Sequence, residues 1–295
     1  MKNVGVIGLG AMGMGVAGNL LRAGFRTHGC DLRQPALDEF SAAGGIACRT
    51  PADLAKHCSV VILLVVDSPQ IEQVLFGESG ATSALAKGAV VISSSTVAPA
   101  FTIELGSRLA KMDVHLIDSP VTGGISGAVN GTLALLSSGP EEAYAQCEDV
   151  MKVFSSKIYR FGPEPGLGSK MKVLHQLLVC CHMAVSAEAM ALGLRENVDP
   201  DVLYDVVTHG AGNSWIFQER IPRVLAGHYE ARTALDVPLK DISLVMETAR
   251  ASNFPLPMTS AAYEMFARAS AAGLGKEDDV ALIKTFPGIR LPGQS

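Results

Sequence analysis

NVGVIGLGAMGMGVAGNL, residues 3–20, decides how the rest of the chain is read. Val4, Val6 and Ile7 form a short apolar run suited to a buried strand. Gly8, Gly10 and Gly13 follow at the spacing G-x-G-x-x-G, and a helix-like stretch begins at once. In a strand–turn–helix setting each glycine has a job. Gly8 permits the tight turn, Gly10 lets the backbone approach a pyrophosphate, and Gly13 lets the helix pack close to the sheet. The helix start then offers free N–H groups to phosphate. The expected cradle is Gly8, Leu9, Gly10, Ala11, Met12 and Gly13. Asp31 stands 18 residues after Gly13, at the end of a second strand-like run. A carboxylate there accepts hydrogen bonds from an adenosine ribose and repels a 2′-phosphate, so the expected cofactor is NAD. Arg33, two residues on, is the group that would work against this by reaching a phosphate.

Outward from this stretch, FRTHGCD, SVVILLVV, AVVISSST and HLIDSP read as further strands. MGVAGNLLRAG and SPQIEQVLF read as connecting helices. Nearly continuous apolar strands predict a parallel sheet covered on both faces. TLALLSSG and SKIYRFG are read as extending that sheet. Open sheets bind ligands beyond the carboxyl ends of their strands. That places Val66 and Asp67 near the dinucleotide and Thr96 near the nicotinamide ribose. Ser68 and Ser95 read equally well as helix caps.

After Gly168 the texture changes. Residues 170 to about 195 hold no proline and no glycine before Gly193, which predicts one long helix. DPDVLYDVVTHG, NSWIFQERIPRVLAG, LKDISLVMETARAS and TSAAYEMFARASAAG read as helices too, and FPGIRLPGQS as a tail. The expected fold class is α/β: a Rossmann-type dinucleotide-binding domain over 1–165, then an all-α domain over 166–295 that opens with the long interdomain helix.

The totals bound the rest. The chain has 295 residues, 48% of them apolar, and a net charge of −5. Such a chain can bury a large core. The acidic balance offers no basic surface for nucleic acid or an anionic membrane. The start lacks the h-region and cleavage site of a signal peptide. No unbroken apolar run approaches the ~20 residues of a membrane span. The six cysteines show no CxxC spacing and suit a reducing compartment, so the expected location is cytoplasmic. None of the seven histidines forms H-x-x-x-H, and no metal is expected.

Four ordered motifs carry a family resemblance across essentially the whole chain. GLGAMGMGVAGNL resembles the opening signature of the beta-hydroxyacid dehydrogenases, which include 3-hydroxyisobutyrate and tartronate semialdehyde enzymes. DSPVTGGISGAVNGTL, residues 118–133, resembles their substrate-binding segment, and implies Ser119, Thr122, Gly123 and Gly124 as substrate contacts. GLGSKMKVLHQLL places the family's catalytic lysine on Lys172. LKD, residues 239–241, places a lysine close to the active site at Lys240, counted here with the cofactor-binding residues. One departure stands out. The family usually has two amides three and four positions after its lysine, whereas this chain has His175 and Gln176. With GNSWIFQER from Gly212, that resembles the branch oxidising L-threonate at C2. The resemblance implies a small hydroxy-acid substrate and a homodimer or homotetramer.

The helix geometry can be weighed beside this. Lys172, His175 and Gln176 lie at i, i+3 and i+4, so they share a face. That face is expected to line a cleft between the domains. Leu174, Leu177, Leu178 and Cys181 are expected to cover a broad packing face. Lys170 lies about 200° from Lys172 at 100° per residue and should not share its site. Gln176 and Asn213 are candidates to bind substrate hydroxyls, and His175 either does the same or tunes Lys172. The plainer alternatives are two solvated lysines, a packed His175, and an Asn213 that merely caps a helix at Trp215. A non-catalytic dinucleotide sensor would need no proton carrier, which Lys172 beside Gln176 argues against.

Overall fold

The computed structural model describes residues 2–293. The last two residues of the expected tail lie outside that range. The chain divides into two compact units, 1–172 and 173–295.

The first unit is built on a six-stranded parallel sheet. Its strands are β1 (Asn3–Ile7), β2 (Arg26–Cys30), β3 (Ile46–Ala47), β4 (Val60–Leu63), β5 (Val90–Ser93) and β6 (His115–Asp118), in the spatial order β3-β2-β1-β4-β5-β6. That order reverses beside β1, the switch point where doubly wound sheets bind dinucleotides. The strands are buried on both faces, as their continuous apolar runs require: Val4, Val6, Val60, Ile62, Val90 and Ile92 face one core, and Ile7, Val61, Leu63 and Val91 the other. The connections include α1 (Ala11–Arg22), α2 (Gln34–Ala42), α3 (Pro51–Ala55), α4 (Ser68–Phe76) and α5 (Pro99–Ala110). Pro at the first or second position of α2 to α5 presets the backbone where its missing N–H costs nothing. The unit has the expected Rossmann-type fold.

One expectation is corrected. TLALLSSG and SKIYRFG do not extend the six-stranded sheet. They form β8 (Leu133–Ser137) and β9 (Ser155–Arg160), which with β7 (Val121–Thr122) make a separate three-stranded sheet, β7-β8-β9. The cause lies in Asp118-Ser119-Pro120. A single antiparallel bridge joins Asp118 to Ser138. Pro120 then has no N–H to continue a ladder, and the chain turns into β7, antiparallel to β8. Two helices, α6 (Gly124–Asn130) and α7 (Glu141–Met151), complete this part.

Helix α8 (Leu167–Arg195) begins in the first unit and continues into the second. In the second unit it is followed by α9 (Pro200–His209), α10 (Trp215–Leu225), α11 (Asp236–Ala251) and α12 (Pro257–Ala269). The core there is Cys180, Met183, Met190, Phe217, Ile242 and Phe266 with their neighbours. No strand follows Arg160 among the described residues. Asp278 and Asp279 are almost fully buried beside Arg223 and Arg220. Burial pushes the Asp279 carboxyl up to about 7, against the pull of Arg220.

The packing face of α8 is the second correction. Of the expected face, Leu174 and Leu178 are 59% and 56% exposed, whereas Leu177 and Cys181 are half-buried and Cys181 packs against the core; Lys172, Val173, Gln176 and Cys180 are buried. Both faces of the helix are apolar enough to pack, so composition could not choose between them. The buried side continues through Cys180, Ala184, Ala187 and Ala191, small residues that let neighbouring helices approach.

Candidate active site

Building from the first unit, the glycine turn has the geometry its sequence demands. Gly8 has φ +94°, and a Cβ there would lie 2.6 Å from Leu64 O. A Cβ on Gly13 would lie 1.8 Å from Gly8 O. A Cβ on Gly10 would meet nothing within 4 Å. Gly8 and Gly13 are thus demanded by the fold, and Gly10 is not. Gly10 is also the N-cap of α1 and supplies no side chain to the first-turn amides of Ala11, Met12 and Gly13. These amides and the open space at Gly10 fit a pyrophosphate. Gly10→Ala is therefore expected to leave Tm unchanged and to weaken NAD binding. Gly13→Ala should lower Tm, because helix α1 must move. Calorimetry with NAD and thermal melts check both. Equal melting losses in the two variants would refute the assignment of Gly10 to ligand approach.

Asp31 is fixed beside this turn. Its Oδ2 accepts from Leu9 N at 2.7 Å and its Oδ1 from Arg33 N at 2.8 Å. The Arg33 guanidinium donates to both oxygens and to Leu9 O. Burial alone would raise the Asp31 carboxyl, but the Arg33 guanidinium and the two N–H groups outweigh it and hold it below the usual range. Arg33 is thus tied to the carboxylate it was set against.

At the end of β4, Val66 is 49% exposed and Asp67 caps α4, accepting from Gln70 N at 2.9 Å. Beyond β5, Thr96 is half-buried. Ser94 and Ser95 are buried there with no partner for either hydroxyl among the described residues, and Ser119 at the end of β6 is the same. Ser119 N donates to Ser93 O, which brings the two strand ends together. Unsatisfied buried hydroxyls are uncommon and mark a place where a ligand or water completes the bonding. Sequence reading missed Ser94 because three consecutive serines after a strand look like cap chemistry.

Ser119, Thr122, Gly123 and Gly124 run from β6 through β7 into α6. Gly123 and Gly124 have φ +120° and +63°, backbone that a side chain would strain. Lys172 meets this segment: its Nζ donates to Val121 O at 2.8 Å, and the residue is 7% exposed. Lys170, two residues earlier, is exposed. The start of α8 is held by Asp118, whose carboxylate accepts from Gly166 N (3.0 Å), Ser169 N (2.8 Å) and Ser169 Oγ (2.7 Å). Burial raises the Asp118 carboxyl, and these donors offset part of that rise.

In the second unit a polar relay runs from α8 to α11. His175 Nδ1 lies 3.0 Å from Gln176 Oε1, and Gln176 Nε2 donates to Asp241 Oδ2 at 2.6 Å. Lys240 Nζ pairs with Asp241 Oδ1 at 2.7 Å. Asp241, 5% exposed, was passed over in the LKD motif, where the signal for it was a carboxylate directly beside the lysine. Asn213 Nδ2 donates to Thr208 O and Gln218 Oε1, joining α9 to α10. It is not the cap of α10; Ser214 is, accepting from Phe217 N at 3.0 Å.

A glycine turn after β1, a carboxylate fixed beside it and a buried lysine against a glycine-rich segment are the parts of a nicotinamide-dependent oxidoreductase. The chain belongs to the beta-hydroxyacid dehydrogenase family. Residues 3–162 match the model for the NAD binding domain of 6-phosphogluconate dehydrogenase. Residues 166–286 match the model for NAD-binding of NADP-dependent 3-hydroxyisobutyrate dehydrogenase. An L-threonate dehydrogenase of Cupriavidus necator is 53% identical over 294 residues, covering 100% of this chain and 99% of that protein. One from Escherichia coli is 46% identical, covering 99% and 97%. The crystal structure of a 3-hydroxyisobutyrate dehydrogenase from Salmonella typhimurium superimposes with a TM-score of 0.93 at 42% identity, covering 97% of this chain and all of that one.

Proposed function

We propose that the chain oxidises L-threonate at C2 to the 2-oxo acid, using NAD. The observation that carries this is the relay His175–Gln176–Asp241, which adds polar groups beyond those that a carboxylate and one hydroxyl need. The similarity to L-threonate dehydrogenases over full length supports it. A second reading, 3-hydroxyisobutyrate as substrate, is favoured by the close superposition on the Salmonella 3-hydroxyisobutyrate dehydrogenase.

On this proposal the turn from Gly8 to Gly13 holds the pyrophosphate, and Asp31 the adenosine ribose. Val66 and Asp67 are assigned to the dinucleotide, Thr96 to the nicotinamide ribose, and Lys240 completes the cofactor set. Bound NAD supplies the hydride acceptor. Ser119, Thr122, Gly123 and Gly124 take the substrate carboxylate. Lys172 accepts the C2 hydroxyl proton at Nζ, and in the reverse direction donates it. Its hydrogen bond to Val121 O fixes the amine against the substrate segment. His175, Gln176 and Asn213 are assigned to the remaining hydroxyls. L-Threonate deuterated at C2 tests the position of oxidation. The label should be recovered in the reduced nicotinamide; label retained in the oxo acid would mean another carbon is oxidised.

The same proposal divides the chain into a cofactor domain over 1–165 and a helical domain over 166–295. It places the enzyme in the cytoplasm. By length and composition α8 would suffice to cross a membrane. Its buried Lys172 and Gln176 favour reading it as a core helix instead. We also propose a homodimer or homotetramer. Leu174, Leu178, Val185 and Leu192 form an exposed stripe on α8, with Val202 and Val206 exposed on α9. An apolar stripe of this kind suits an isologous contact.

A further inference from the structure

The sheet of the first unit has a second charged concavity, at the edge away from the nucleotide turn. An open depression of about 480 Å³ is lined by residues at the amino ends of β1 and β2, by β3, and by the flanks of α3. Asn3 and Arg26 are register partners at those amino ends, whereas Asp31 follows the carboxyl end of β2. Five residues of strand separate Arg26 from Asp31, roughly 16 Å at about 3.3 Å per residue. The volume lies within the range of small-molecule sites, about 300–1,000 Å³.

Its charge is unbalanced. Arg26, Arg49 and Lys56 line it, against the single carboxylate of Asp53. Asp53 is taken by Lys56 at 3.0 Å. Neither guanidinium makes a hydrogen bond or ion pair among the described residues. The depression therefore holds two uncompensated positive charges in a chain whose net charge is −5. A second observation is independent of these cations. His28 lines the same depression, is 3% exposed, and its Nε2 has no partner among the described residues. The other ring nitrogen faces Cys48 Sγ at 3.8 Å, and His57 stacks on the ring at 5.3 Å. Burial first, then His57 and Arg26, holds His28 below the ordinary histidine range, so the ring is neutral and retains one N–H. Buried polar nitrogens are rarely left unsatisfied.

We propose that this depression binds a small phosphomonoester, remote from the catalytic site. Two free guanidiniums present planar forks that match phosphate oxygens bidentately. A phosphomonoester dianion carries the two negative charges that the lining lacks. His28 Nε2 can donate to a phosphate oxygen when it carries the ring proton, and Asn3 Oδ1, an acceptor also unpartnered among the described residues, suits a hydroxyl of the esterified group. The proposal does not rest on the assignment of the substrate.

The test is calorimetric titration of NAD-saturated enzyme, so that the nucleotide turn is filled, with glycerol 3-phosphate at constant ionic strength. Saturable one-to-one binding is expected. In the double variant Arg26→Gln/Arg49→Gln, affinity should fall roughly tenfold or more, the scale of losing charge-assisted hydrogen bonds. Oxidation of L-threonate should be unchanged in that variant. Parallel titration with inorganic phosphate separates recognition of the free ion from that of the ester: ester binding through the two arginines supports the site, and binding of the free ion alone overturns the assignment to an ester. Histidine side-chain NMR on wild-type enzyme gives a second readout: the His28 and His57 ring signals should move on titration. Absence of binding, binding unaffected by the double substitution, histidine signals that stay still, or binding of L-threonate alone would overturn the proposal.

Discussion

Lys172→Ala is expected to bind NAD as tightly as the wild-type enzyme and to lose about 10²–10⁴-fold in kcat, the usual contribution of a placed acid–base group. The separation follows from where the groups sit. The first-turn amides of α1 and Asp31 belong to the turn after β1 and the end of β2, while Lys172 lies on α8 against Val121 O. Removing the amine leaves the nucleotide turn intact. Lys170→Ala is the control, since Lys170 is exposed two residues away on the same helix. It should be close to normal in kcat. Calorimetry with NAD and steady-state rates for the two variants decide the matter. Comparable losses in both would show that a general charge effect, rather than one placed amine, drives turnover.

Asp118→Ala is expected to destabilise the first unit by about 3–5 kcal/mol, because it leaves two buried backbone donors without an acceptor and Ser169 Oγ with Thr102 alone. For a unit of this size each kcal/mol moves Tm by about 2–4 °C, so the melt should fall by roughly 6–20 °C. Asp118→Asn, which keeps one acceptor oxygen, should lose less. The position matters for function as well as for stability. Asp118 ends β6, immediately before the Ser119–Gly124 segment, and its carboxylate holds the first turn of the helix that carries Lys172. A close packing point lies beside it: a Cβ on Gly168 would approach Leu136 O to 2.3 Å and Asp118 O to 2.7 Å. A thermal melt of Asp118→Ala indistinguishable from wild type would show that α8 is anchored elsewhere.

What could be read without coordinates, and what could not, divides along the range of the contacts. The G-x-G-x-x-G turn, Asp31 and the long helix without glycine between Gly168 and Gly193 are local patterns, and each appears where its spacing places it. Lys172 with Gln176 on one side of α8 was legible from helical periodicity, and both are buried. The second sheet was not legible, because β8 and β9 look like any apolar strand and their partners depend on the break at Pro120. Asp118 was legible as the end of a strand but not as the anchor of α8, since its bonds cross 48 and 51 residues. Asp241 reaches Gln176 across 65 residues and had no periodicity to betray it. The outward stripe of α8 was misassigned because a leucine carries no mark in the sequence of which helix face packs inward.

The central claim is that this active site is built to bond the hydroxyls of a four-carbon sugar acid. The most direct measurement is kcat/KM of the wild-type enzyme, with saturating NAD, for L-threonate and for 3-hydroxyisobutyrate. A site that hydrogen-bonds a substrate hydroxyl rejects an analogue lacking it by about 10⁴–10⁵-fold. L-Threonate is therefore expected to be preferred by a factor approaching that range. Equal values, or a preference for 3-hydroxyisobutyrate, would contradict the assignment of His175 and Gln176 to substrate hydroxyls.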